Sequence, residues 1–325
     1  MLPLLIVIAL LNAFLAGFHG SAAVVATVIS SRALSPRAAL VCSALAAFIG
    51  PLVLGTAVAN TISQQLISPS VLTPDVLVCG LLAAVSWVLF TWWMGVPSSA
   101  SHALIGGLLG AAFAAAGPLA IQPLGLIKTI IGLFASPPLG WLAGLLVMPV
   151  ILFFVQNATP RINLVFRRFQ LFSTIGLAAT IGSNDAQKFM GLIALALLLS
   201  GASTTFAVPG WAIVASAAAF ALGTLSGGYR LIRTLGGRIF KVRPVHSLGA
   251  QLAAGGLILT ASLTGLPVSG THVMSTAIFG VGSAERLSKV RWQVAGDLLT
   301  AWALTLPLTA LLAGAGYWLL KGLTL

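Results

Sequence analysis

Apolar stretches close to the length of a membrane-crossing helix recur along almost the whole chain, at 38–60, 76–94, 141–156, 211–228, 248–264 and 292–320. About 20 predominantly apolar residues, wound as a helix, cross the hydrocarbon core of a bilayer. Charged residues make up only 6% of the 325, where a soluble domain carries about a quarter. Mean hydropathy is +1.09. A surface of this kind faces lipid, and the chain is expected to be an all-α polytopic membrane protein. The 35 glycines and 16 prolines fit membrane helices, which tolerate both, and they fit helices interrupted inside the membrane.

The net charge of +12 does not point to nucleic acid, because the basic residues lie in short loops between apolar runs. That is the pattern left by positive-inside topology. Cys42 and Cys79 lie in apolar segments, form no CxxC pair and read as small buried hydrophobes. They support no metal or redox site, and no cofactor is implied. Residues 1–23 end in small residues as a signal peptide does, but no Lys or Arg precedes Arg32, so the basic leading region is missing. The segment is expected to be a retained first helix. There is no HExxH, GxSxG or Walker loop, so hydrolytic and nucleotide chemistry have no foothold and no enzyme is expected.

The chain repeats itself. Gly95-Val-Pro-Ser-Ser-Ala-Ser-His102 resembles Gly265-Leu-Pro-Val-Ser-Gly-Thr-His272 at an offset of 170, with Gly110 and Gly280 following at the same offset. Gly17-Phe-His-Gly20 falls on Gly182-Ser-Asn-Asp185 at 165, and Gly55-Thr56 on Gly223-Thr224 at 168. The basic loops exchange places between the copies. Arg32 and Arg37 follow the first helix of copy one, whereas the equivalent loop 201–209 is uncharged. The next loop, 61–74, is uncharged in copy one, and its counterpart 229–246 carries Arg230, Arg233, Arg238, Lys241 and Arg243. The copies should therefore cross the membrane in opposite senses, as the inverted-topology repeats of secondary transporters do. The first repeat is placed at 1–117 and the second at 171–282. Residues 118–170 are connecting helices with a basic cytoplasmic loop holding Arg161, Arg167 and Arg168, and 283–325 form a basic loop and a last helix. The N-terminus is expected outside. Segments 100–117 and 124–135 are short enough to be re-entrant.

Only four acids exist: Asp75, Asp185, Glu285 and Asp297. Asp75 follows Pro74 and is expected to cap a helix. Glu285 lies among Arg286, Lys289 and Arg291 as a surface pair, and Asp297 is expected to lean back toward those cations. Asp185 is different, because it lies between the apolar stretches 171–181 and 189–199 beside Ser183, Asn184, Gln187 and Lys188. A carboxylate held near mid-membrane costs about 2.5–3.5 kcal/mol and is functional by default. The plain alternative is a structural pair with Lys188 on the same helix face. Gly182 is read as a break in this helix, and His19 as lying in a broken first helix.

Ser98, Ser99 and Ser101 after Pro97, and Ser269 and Thr271 after Pro267, place hydroxyls and unpartnered N–H groups at helix starts. Such a start attracts a tetrahedral oxyanion; ordinary N-capping is the alternative. His102 and His272 close the two motifs and, with His19, are candidates for proton relay or for plain hydrogen bonding to backbone.

At these residues the chain resembles the inorganic phosphate transporter family, the PiT-type low-affinity permeases. The likeness runs over most of the chain. It is carried by 16–37, 95–110, the string Gly-Ser-Asn-Asp-Ala-Gln-Lys at 182–188, 223–242 and 266–311. The resemblance implies a cation-coupled symporter holding phosphate between two repeats in the cell membrane, that of bacteria being favoured. It implies Ser98, Ser99, Ser101, Ser269, Thr271, Asn184 and Asp185 as anion contacts; from its place in the membrane Asp185 is expected to be the coupling-ion residue, with Lys188, Gln187, His102 and His272 as candidates for support. A homodimer is kept as a candidate assembly.

The chain also departs from the family. The family's first motif usually reads Asn-Gly-Phe-His-Asp-x-Ala-Asn, and here Ala16, Gly20 and Ala23 replace its asparagines and aspartate. Gly270 stands for a usual Thr and Ile181 for a usual His. With one central carboxylate lost, fewer ligands remain for sodium, and a proton is the expected coupling ion. Sulfate is the alternative anion, and a transport-inactive sensor or scaffold the alternative role.

Overall fold

The structure is a computed structural model that describes residues 1–228, 231–232, 236–237 and 239–324. Arg230, Arg233 and Arg238, on which part of the loop-charge argument rests, lie outside the described residues. The first half comprises α1 (Leu2–Ser30), α2 (Pro36–Val53), α3 (Ala57–Gln64), α4 (Pro74–Met94), α5 (Ala100–Ala116), α6 (Pro123–Ile130) and α7 (Ser136–Val155). The second comprises α8 (Ile162–Leu199), α9 (Gly210–Ser226), α10 (Pro244–Thr264), α11 (Gly270–Glu285) and α12 (Trp292–Thr324). Seven stretches are long and apolar enough to cross a membrane. No strand occurs among the described residues beyond one isolated bridge, Ile67 to Ile121. The outside of the bundle carries exposed Leu45, Phe153, Phe154, Phe172, Leu311 and Trp318, as a lipid-facing surface requires.

Helix boundaries follow local chemistry. Prolines open α2, α4, α6 and α10, where a missing N–H costs nothing. Ser35, Thr73, Ser99 and Ser269 accept from the backbone N–H three residues on. Thr73, and not Asp75, is thus the cap of α4; Asp75 pairs instead with Lys321 at 2.7 Å. Glu285 pairs with Lys289 and also with Arg243, which lies 42 residues away in sequence. Gly95 and Gly265 end α4 and α10 with φ of 71° and 73°, left-handed values that glycine adopts without strain. Pro97 and Pro267 then keep the chain out of helix until α5 and α11 begin. The result is two helical hairpins, α4–α5 and α10–α11, with tips at 95–99 and 265–269.

Each half packs mainly on the other. α1 lies on α9 and α2 on α8; α5 lies on α12 and α11 on α7. Glycines set these contacts at matching points. A Cβ on Gly17 would stand 2.0 Å from the Phe220 carbonyl oxygen and one on Gly223 1.9 Å from that of Phe14. In the α2–α8 pair, Gly50 and Gly182 stand in the same relation to the carbonyls of Ala179 and Ala47, at 2.0 and 2.5 Å. This geometry matches Gly223 with Gly50 rather than with Gly55, so the Gly-Thr dipeptide is not the corresponding feature. It also explains Gly182. α8 runs through it unbroken for 38 residues, and α1 likewise runs unbroken through His19. Glycine is needed at 182 for close approach and not to break the helix, so neither of the two expected interruptions occurs, while the chain does leave helix at the hairpin tips and between α2 and α3.

The correspondence reaches beyond the motifs. α6 and α7 are joined through a π-helical turn, Ile131–Ala135, into one crossing of 33 residues, equal in length to α12. Residues 124–135 are therefore the start of a full crossing and not a re-entrant segment. The halves are inverted: Ser31, at the end of α1, donates to Gln170 near the start of α8 at 2.7 Å, and Gln170 donates to Pro244 O at the start of α10 at 3.0 Å. At the opposite end, Asp75 at the start of α4 meets Lys321 near the end of α12.

Because a Cβ at position 50 meets backbone rather than a movable side chain, Gly50→Ala should force α2 and α8 apart. The expected loss is about 1–3 kcal/mol, read as a lowered midpoint of thermal unfolding in detergent. Gly176→Ala, with nothing within 4 Å of its added Cβ, should leave the midpoint unchanged.

Candidate functional site

The two hairpin tips meet. Ser99 Oγ, at the start of α5, donates to Ser269 Oγ, at the start of α11, at 2.9 Å. Ser269 Oγ lies 3.0 Å from Thr271 Oγ1. Two helix N-termini thereby converge in the protein interior, and their first-turn N–H groups have no partner inside their own helices. Ser99 and Ser269 are both buried. They are caps as well as hydroxyl donors, so the capping and anion-site readings describe the same atoms.

α8 passes beside this junction and supplies its charge. Lys188 Nζ lies 2.5 Å from Asp185 Oδ1, 2.5 Å from Ser101 Oγ and 2.8 Å from the Val268 carbonyl oxygen. Ser101 Oγ is itself 3.3 Å from Asp185 Oδ1. Lys188 is 1% exposed and Asp185 8%. A buried ion pair persists only where further hydrogen bonds satisfy both partners, and Ser101 and Val268 provide them for the ammonium.

The other candidates hold this frame. Asn184 donates to Ser262 Oγ and Leu266 O, both at 3.2 Å, and accepts from Val268 N–H at 3.2 Å. Its amide is thus spent on seating the second tip. Ser98 is engaged with Thr91 within the first hairpin at 2.7 Å. Gln187 accepts from Val58 N–H at 2.8 Å and donates to Ser183, fixing the start of α3. His102 Nδ1 is 2.9 Å from Ser99 Oγ. The His102 ring lies 4.5 Å from that of His272, which stacks on Trp302 at 3.8 Å. Trp302 Nε1 donates to Pro97 O at 3.1 Å, tying α12 to the first tip. Neither nitrogen of His272 or of His19 has a hydrogen-bond partner.

Three departures from the family pattern fall together in space. Ile181, one turn before Asp185, packs against both bare positions. A Cβ on Gly270 would meet its side chain at 3.1–3.3 Å, and one on Gly20 would meet it at 3.9 Å and the Phe220 ring at 3.5 Å. The positions of the three departures thus adjoin one another on an apolar patch that includes Phe220.

A sequence profile described as the phosphate transporter family matches residues 16–164 and, separately, 155–313. The chain belongs to that family. It is 40% identical over 321 residues to a "Probable low-affinity inorganic phosphate transporter" of Bacillus subtilis, covering 98% of this chain and 96% of the relative. The protein of the same description from Rhizobium meliloti is 41% identical over 315 residues, covering 96% and 94%. A solved structure titled "The sodium-dependent phosphate transporter" superposes with a TM-score of 0.90 at 22% identity, covering 98% of each chain. It shows that this family member has the same fold. The two profile matches meet near residue 160, where α7 gives way to α8.

Asn184 was legible as a site residue from its neighbours but not as the support of a tip. Val268 and Trp302 carried no polar-residue signal of any kind, because one acts through its carbonyl and the other looks like core.

If the tips meet as described, Ser99→Cys with Ser269→Cys in a Cys42→Ala/Cys79→Ala background should form a disulfide on mild oxidation. Side-chain oxygens 2.9 Å apart are compatible with an S–S bond of about 2.05 Å after small adjustment. Intact mass after alkylation reads the result, and two free thiols in the oxidised, folded protein would contradict the junction.

Proposed function

We propose that this chain is a secondary transporter that carries inorganic phosphate across the cell membrane together with a proton. The observation that carries the reading is the convergence of two capped helix starts, Ser99 with Ser101 and Ser269 with Thr271, on the Lys188 ammonium. Hydroxyls, first-turn N–H groups and one fixed cation are the donors that a tetrahedral oxyanion needs. Family membership and the names of the similar proteins support phosphate over sulfate. Inverted repeats with the site between them suit alternating access.

Two observations support a proton as coupling ion over sodium. Asp185 is already neutralised by Lys188, and Ile181, one turn before it, packs against the bare positions Gly270 and Gly20 where the family's polar residues would stand. A proton needs only one basic group. The cytoplasm is assigned to the end of the bundle where α1 finishes and α8 begins. Arg32, Arg37, Arg161, Arg167, Arg168, Arg243, Arg286, Lys289 and Arg291 belong to that end, while the other end has Lys128, bonded to Gln65, and Lys321, paired with Asp75. By the positive-inside bias the N-terminus is outside.

Proteoliposomes holding the purified protein should accumulate radiolabelled phosphate down an inward proton gradient, with little change when sodium replaces potassium. Strong sodium stimulation overturns proton coupling, and sulfate uptake without phosphate uptake overturns the substrate. Ser99→Ala or Ser269→Ala should raise the half-saturating phosphate concentration by tenfold or more, since each loses a bond to a charged ligand of about 1.5–3 kcal/mol.

Orientation is read separately. Ser35→Cys and Thr204→Cys, both exposed, should react with an impermeant thiol reagent from opposite faces, Thr204→Cys from outside. Labelling of both from one face contradicts the inversion.

A further inference from the structure

Lys188 joins three elements at once. Its ammonium has three N–H groups and three acceptors, Asp185 on its own helix, Ser101 on the first hairpin and the Val268 carbonyl on the second. Its donor capacity is full before any anion arrives. The starts of α5 and α11 meet at Ser99 and Ser269, and Ser101 in the first turn of α5 and Val268 just before α11 both touch Lys188, so an oxyanion held by both tips would lie against this ammonium and add an acceptor it has no free donor to meet. One of the existing acceptors must give way. Ser101 and Val268 belong to the tips that hold the anion, which leaves Asp185.

The surroundings contain little else that could compensate charge. Of the elements packed on α8, α1 presents His19 and α11 presents His272, and α5 behind them presents His102. α3 and α9 carry no charged residue, and Arg37 of α2, His246 of α10 and Glu285 of α11 lie at the outer ends of their helices.

We propose that the substrate oxyanion and Asp185 compete for Lys188: the anion draws the ammonium off the carboxylate, and Asp185 is then neutralised by the proton that travels with the anion. This rests on the transport reading above and names how its two substrates are coupled. An ionised carboxylate stripped of its partner in a water-poor interior is too costly to persist, so anion and proton load together. The proton comes from water on the loading side and adds to a carboxylate oxygen of Asp185. On the far side the anion leaves, Lys188 returns to Asp185, and the proton passes to water. Lysine and aspartate sum to zero charge when empty. Lysine, a monoanion and a neutral aspartic acid also sum to zero when loaded.

The test is equilibrium binding to the purified full-length protein in weakly buffered detergent, followed by calorimetry and a pH indicator. The probes are inorganic phosphate and sulfate, and sulfate controls for phosphate's own protonation. The unmodified protein should take up about one proton per anion bound, as linked binding requires. Asp185→Asn removes the competitor, so it should bind phosphate more tightly, on the order of tenfold, and take up no proton. Lys188→Gln should weaken binding by at least as much, and Asp185→Asn/Lys188→Gln should bind better than Lys188→Gln alone. Lys188→Gln strands a buried carboxylate; if it fails to fold, Asp185→Asn and the uncharged double variant carry the comparison. Weaker phosphate binding by Asp185→Asn, or proton uptake persisting in it, overturns the competition while leaving phosphate transport standing. An unmodified protein that binds neither anion overturns both.

Discussion

An ammonium group shut away from water must spend its N–H groups on protein oxygens, and where Lys188 spends them organises the centre of this molecule. One goes to the helix that bears it and one to each hairpin tip. The same group therefore neutralises a buried carboxylate and ties it to the two tips, which also meet directly through Ser99 and Ser269. Taking both charges out of water costs several kcal/mol per ion, and the pair endures only because every donor is met. A frame built on that condition is sensitive to any new acceptor placed within reach, which is the property a carrier needs.

Around this centre the repeats are exchanged rather than stacked. Each hairpin's inner helix lies on the last crossing of the other half, α5 on α12 and α11 on α7. Neither half could bury its own hairpin alone. Close glycine contacts at Gly17, Gly50, Gly182 and Gly223 bring backbones together where lipid gives no hydrophobic drive and packing must hold helices in place. The site sits at the pseudo-symmetric middle because the tips, related by the repeat, can meet only there.

The symmetry is broken where chemistry is done. Asp185 and Lys188 on α8 correspond by the repeat to Gly20 and Ala23 on α1, so charge comes from one repeat only. Ile181 and Phe220 fill part of what is left. His19 and His272 keep ring nitrogens without partners in the interior, an expense that hydrogen-bonding statistics make uncommon. They stand apart from the Lys188 network, His272 being held by Trp302 and His102 through ring contact alone.

Periodic apolar runs, capping residues and the repeated Pro-Ser-His motifs determined by themselves that this chain is helical, membrane-embedded and internally repeated. These are local properties, set by helix length, by proline's missing N–H and by the short-range reach of a serine side chain. The exchange of basic loops carried the inversion as well, since insertion reads charge segment by segment. What lay between segments was decided only by the tertiary structure. Gly182 looked like a break from its neighbours and proved to be a contact, because the reason for it is Ala47 on another helix. Asn184 and Ser98 read as anion contacts, and only the fold shows that their side chains also brace the tips, with partners 7 to 84 residues away. That Gly20, Ile181 and Gly270 adjoin on one apolar patch could not be read from positions so far apart. Side-chain chemistry is written in the sequence, but which groups compete for one ammonium depends on distances of a few ångströms that only packing fixes.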